Sequence, residues 1–175
     1  MVNLDRKNLL FIFFLSIFCF VCNANEKQID FIKIINDSRE GFSSSFNDLK
    51  INKLLVDRND MLCKSIPQII NNWEGKIKGI TTNMEGKGIL SIIISKGIFI
   101  QTWNNAFSDL FDNTLIETDS KVYSQLLELN RGDSILFSGS FIENSSECFG
   151  TQNFTNKSKI SKPEFTFIFS NIIKN

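Results

Sequence analysis

The chain contains no histidine. Ser-His-Asp and Cys-His catalysis are therefore excluded, as is any zinc or iron site that needs an imidazole ligand. It also lacks an excess of either charge, since 19 basic and 19 acidic side chains leave a net charge of +0. That balance gives no global attraction to nucleic acid or to an anionic membrane. No GxxxxGK[ST] phosphate loop is present. Glu85-Gly86-Lys87-Gly88 has neither the spacing nor the helix that such a loop requires. Proline is limited to two residues and tyrosine to one, whereas phenylalanine reaches 18. No activated nucleophile is evident, so no catalytic residue, cofactor or metal is assigned.

The longest apolar run is too short to span a membrane comfortably. It extends from Leu9 to Cys22, broken only by Ser16, and follows the basic pair Arg6-Lys7. A membrane span needs ~20 apolar residues, whereas a basic start, a shorter apolar run and a small residue at Ala24 describe a signal peptide. Residues 1–24 are read as that signal, with an uncleaved anchor as the alternative. The expected location is periplasmic or secreted, with no stable membrane span after cleavage. Losing Asp5, Arg6 and Lys7 leaves a net charge of −1. Cys19 and Cys22 leave as well, so Cys63 and Cys148 remain. Two thiols in an oxidising compartment form a candidate disulfide. Sequons begin at Asn36, Asn144, Asn153 and Asn156. They are read as chance products of an Asn-rich composition.

Residues 25–68 carry helical periodicity. Ile29, Ile32, Ile35, Phe42, Phe46 and Leu49 recur at spacings of three, four and seven, and Leu54, Leu55, Met61 and Leu62 continue the stripe. Gly41 and Ser43-Ser44-Ser45 weaken the middle, leaving one helix and two helices equally open. The apolar spacing never settles into heptads, which favours an arm packed on the next domain over a coiled coil.

From Asn72 the pattern changes to strands. Trp73–Ile80, Ile89–Ile94 and Ile98–Trp103 read as three strands joined by glycine-containing turns. Ser120–Leu129 reads as a short helix. Ser134–Ile142 and Glu164–Ile172 read as strands four and five, separated by a long polar stretch. Strand, strand, strand, helix, strand, strand is the order of an OB-fold, a five-stranded Greek-key barrel. Gly75 and Gly79 fall in the first strand, where a small barrel must bend sharply. The expected architecture is thus an OB-fold-like barrel over residues 70–173 preceded by a helical arm, in an α+β chain.

Trp73-Glu74-Gly75-Lys76-Ile77, followed by Gly132-Asp133-Ser134-Ile135-Leu136-Phe137-Ser138-Gly139, resembles the small exported bacterial OB-fold proteins of the tRNA-anti-like kind. Thr102-Trp103-Asn104-Asn105-Ala106 and Pro163–Phe169 are similar to the same group. The resemblance covers roughly residues 70–173. It implies an exported barrel of nucleic-acid-binding ancestry, without implying a nucleic-acid ligand. In this barrel the first strand pairs antiparallel with the fourth. Cys63 precedes the first and Cys148 follows the fourth, which predicts a Cys63–Cys148 disulfide.

OB-folds bind on the face of strands two and three. Lys76, Lys78, Lys87, Phe99, Gln101 and Trp103 are the candidate ligand-binding residues, with Phe149, Phe154, Lys157, Lys159 and Lys162 in the last loop. Aromatics interleaved with lysines suit single-stranded nucleic acid or oligosaccharide. The competing expectation is that Phe99 and Trp103 pack beneath the arm. Asp109, Asp112, Glu117 and Asp119 read as a solvated acidic loop rather than a cation or acid–base site. Arg131-Gly132-Asp133 reads as a turn rather than an adhesion signal. The expected function is non-enzymatic binding of an unknown protein, peptide or oligomeric ligand in the cell envelope. The alternatives are an interaction protein of immunity, exclusion or inhibitor type using the arm, and single-stranded nucleic-acid binding, which is not favoured. A carboxylate-dependent hydrolase ranks last.

Overall fold

The computed structural model describes residues 26–42, 47–144 and 147–175. The expected signal segment, Phe46 and the serine run from Ser43 lie outside the described residues. Helix α1 covers 26–42 and α2 covers Asp48–Ser65. The arm is thus two helices. Asn47 caps α2 by accepting the backbone N–H of Leu49, and Pro67 holds Ile66 extended at its other end.

Five strands follow: β1 (Ile69–Thr82), β2 (Gly88–Ser95), β3 (Ile98–Gln101), β4 (Ser134–Phe141) and β5 (Glu164–Lys174). They close into a barrel in the order β1-β2-β3-β5-β4. β1 pairs antiparallel with both β2 and β4, and β3 runs parallel to β5. This is the OB-type arrangement expected from the element order. Helix α3 (Lys121–Leu126) stands between β3 and β4. A second short helix, α4 (Asn156–Ser161), lies inside the stretch expected to be polar loop.

Gly75 faces the interior. A Cβ there would lie 2.4 Å from the Ile92 side chain, so only glycine lets these strands approach. Gly139, at φ +156, marks the bulge where β4 changes register against β5.

The barrel interior is aliphatic and aromatic, with Ile77, Leu90, Ile92, Ile100, Phe137 and Phe167 buried. Helix α1 contributes Phe31 and Ile35 to this same core. The Phe31 ring lies 5.2 Å from that of Trp73, 5.4 Å from Phe141 and 5.0 Å from Phe165. The helix therefore closes the barrel end where β1 and β5 begin. Helix α3 covers the opposite end with Val122 and Leu126, and Gln125 Oε1 accepts from the Ile172 backbone.

Helix α2 buries Ile51, Leu55, Arg58 and Leu62, one helical face. Ile51 and Leu55 pack on Ile160 of α4 in a satellite core. Arg58 Nη1 donates to Lys159 O at 2.7 Å, and the guanidinium sits 5.9 Å from the Phe165 ring centroid. Burial lowers the Arg58 pKa to about 10, against the opposing pull of Glu147. Arg39 of α1 reaches the backbone oxygens of Lys96, Gly97 and Ile160, which ties α1 to the β2–β3 turn and to α4. Cys63 and Cys148 form a disulfide with a Cα–Cα distance of 5.7 Å, as the topology predicts. Beside it, Asn59 Oδ1 accepts the Cys148 N–H at 3.2 Å.

Candidate functional site

Side chains on adjacent strands share a face when they occupy paired positions, and Ser91 pairs with Gln101. Ser91 Oγ donates to Gln101 Oε1 at 3.0 Å. Gln101 Nε2 donates to Gln152 Oε1 at 3.1 Å and to Glu164 Oε2 at 3.4 Å. Gln152 comes from the β4–β5 connection. Its Nε2 donates to Thr102 O at 2.9 Å, and its backbone N–H donates to Glu164 O at 2.8 Å. Thr151 bridges Phe165, so this part of the connection runs along the start of β5. The result is a groove of about 380 Å³ on the β2–β3 face. Ser91, Gln101, Gln152 and Glu164 line it together with Trp103, Asn104 and Phe154.

Trp103 is half-buried and held in one orientation. Its Nε1 donates to Asp112 Oδ2 at 2.7 Å, and its backbone N–H donates to Thr114 Oγ1 at 2.8 Å. Asp109 organises the same loop. Oδ1 accepts from Thr114 Oγ1 at 2.7 Å and also from the Thr114 backbone, while Oδ2 accepts the Leu115 N–H at 3.1 Å. Asp109 is buried, which corrects the expectation of a wholly solvated acidic loop. Burying a carboxylate is tolerable because three donors satisfy it. Glu117 instead accepts from Lys87 at 2.6 Å. Among the described residues, no group of three or more carboxylate or thiol side chains converges as a metal site. The loop leaves Phe107, Leu110 and Phe111 exposed, and Phe154 on the groove wall is fully exposed.

The six sequence-derived candidates fall in separate places. Gln101 and Trp103 share the groove. Phe99 is only 5% exposed, beneath its own lysines. Lys78 Nζ lies 4.0 Å and Lys162 Nζ 5.1 Å from its ring centroid. Lys76 lines a shallow depression with Glu74, Ser134 and Asn175, and Lys87 is engaged by Glu117, whose hydrogen bond raises the lysine pKa. In the Arg131-Gly132-Asp133 turn, the Asp133 carboxylate accepts from the Asn130 backbone at 2.9 Å and from Lys174 at 3.0 Å. Those two contacts hold its pKa below the usual aspartate value.

Sequence reasoning missed Ser91, Asn104, Gln152 and Glu164. Isolated polar residues in strands and loops carry no signal of their own. Only the parallel register of β3 and β5, which pairs Phe99 with Glu164, brings Glu164 beside the β2–β3 face. In comparisons with known proteins, no protein-family model, no curated protein and no solved structure matches this chain.

Proposed function

We propose that this chain is an exported, non-enzymatic binding protein, periplasmic or secreted, that holds an oligomeric, peptide or protein ligand on its β2–β3 face. The observation that carries this reading is the groove. Its polar floor is already ordered by internal hydrogen bonds, while Phe154 stands fully exposed beside it. A pre-ordered polar floor with an exposed aromatic wall loses little conformational freedom on binding. The Cys63–Cys148 disulfide suits an oxidising compartment, and the basic-then-apolar leader suits export. Among the described residues, no helix is long and apolar enough to cross a membrane.

The arm supplies the competing surface. Its Phe31 and Ile35 are spent on the barrel, but Leu49 and Val56 of α2 remain exposed. Immobilised mature protein, incubated with the envelope fraction of its own organism, separates the two. Phe154→Ala should abolish retention of the captured component, and Leu49→Ser combined with Val56→Ser should not. The reverse pattern would move the function to the arm.

A further inference from the structure

The chemistry of the groove is specific enough to name a ligand class. We infer that it takes a neutral oligosaccharide. This rests on the groove being the binding site.

The groove offers side-chain amides from Gln101, Gln152 and Asn104, a hydroxyl from Ser91 and a carboxylate from Glu164. Among the described residues, neither lysine nor arginine lines it. Nucleic acid would require cations to neutralise its phosphates, and Glu164 would repel them. Of the lysines named from the sequence, Lys78 and Lys162 lie over Phe99, Lys87 and Lys159 are paired with Glu117 and Glu147, and Lys76 lines a separate depression. An extended peptide adds to a sheet through a free strand edge. β3 has none, because β2 and β5 occupy both of its edges in a closed barrel. A purely apolar ligand would cover Glu164 Oε1 and the Asn104 amide without offering either a partner.

A pyranose ring meets all of these constraints. Its hydroxyls both donate and accept, which matches groups that remain available in the groove. Glu164 uses Oε2 toward Gln101, and among the described residues its Oε1 and Asn104 Nδ2 have no partner, which leaves one to accept from and the other to donate to sugar hydroxyls. The apolar face of the ring suits Phe154 and the Asp112-anchored indole of Trp103. The volume of about 380 Å³ lies in the small-ligand range of roughly 300–1,000 Å³.

Calorimetric titration of the disulfide-bonded mature chain tests this. The probes are neutral hexasaccharides of glucose, of N-acetylglucosamine and of mannose. A thymidine oligonucleotide, a heparin hexasaccharide and an unstructured peptide are the comparisons. At least one neutral hexasaccharide should bind saturably, with little change as salt is raised, because no ion pair is involved. Phe154→Ala and Glu164→Gln, each checked for folding by circular dichroism, should weaken that binding by about tenfold or more. No binding by any neutral hexasaccharide would overturn the assignment, as would binding indifferent to both variants. Oligonucleotide or peptide binding that Phe154→Ala abolishes would overturn the sugar class and leave the groove reading intact. Envelope retention that follows the arm variants instead would remove the groove reading itself.

Discussion

Gln28 of α1 grips both backbone groups of Glu74 on β1: its Nε2 donates to Glu74 O at 2.6 Å, and its Oε1 accepts the Glu74 N–H at 2.8 Å. Pairing with β2 begins only at Lys76, so among the described residues this part of β1 has β4 on one side and no strand on the other. A buried side-chain amide takes the place of the missing strand. Leaving a buried backbone group unpaired costs about 1–3 kcal/mol. Gln28→Met keeps the length and removes both bonds. Chemical denaturation should show a loss of about 2 kcal/mol, and an unchanged midpoint would mean that water replaces the amide at no cost.

The disulfide joins residues 85 apart in sequence. Constraining so long a loop in the unfolded chain contributes about 3–5 kcal/mol in the chain-entropy picture. Cys63→Ser with Cys148→Ser should lower the melting temperature, and reductant should do the same to the wild type but nothing to the double variant. Mass analysis without reductant should find one bridged pair. Two free thiols in the purified, unreduced protein would contradict the structure.

Much of the barrel was legible before any coordinates. Phe165, Phe167 and Phe169 at alternate positions, and glycine turns around Ile89–Ile94, expose strand identity because residues two apart share a face. The disulfide follows from two expectations together, that only Cys63 and Cys148 remain after the leader and that the first and fourth strands of an OB-type barrel pair. The plugging role of α1 was not legible. Phe31 stands in Ile29-Asp30-Phe31-Ile32-Lys33, where several apolar side chains compete for one face, and only tertiary contact decides that Phe31 is buried while Ile29 is exposed. Helix α4 was invisible for the opposite reason. Asn156–Ser161 is short and almost entirely polar, and only Ile160 is buried. Within the groove, Gln101 and Trp103 were visible by alternation on a strand. Gln152 came from a connection with no periodicity to read.

Arg58 is 4% exposed, and its Nε finds no hydrogen-bond partner among the described residues. Because burial lowers its pKa on folding, the charge opposes folding in full below about pH 10. That opposition fades as pH rises further, toward the ordinary arginine range. Replacing a buried charge with an apolar residue of similar length is often neutral or stabilising by about 1–4 kcal/mol. Arg58→Met should therefore match or exceed wild-type stability. Arg58→Ala, which leaves a cavity against Phe165, should fall below it by about 2 kcal/mol or more. Urea denaturation of the two variants compares them directly. Equal losses in both would show that the guanidinium bond to Lys159 O outweighs its desolvation.

The position of Phe31 also bears on the order of assembly. Helix α1 leaves the ribosome before any strand, yet the rings that receive it come from Trp73, Phe141, Phe149 and Phe165. Its docking site does not exist until β5, the last strand, has been made. Contacts between the two ends of a chain are entropically expensive and form slowly. Among the described helices, the first to be synthesised is thus seated only once β5 is present. Pulse-labelled hydrogen exchange during refolding would find the amides of α1 protected together with those of β5, not ahead of them.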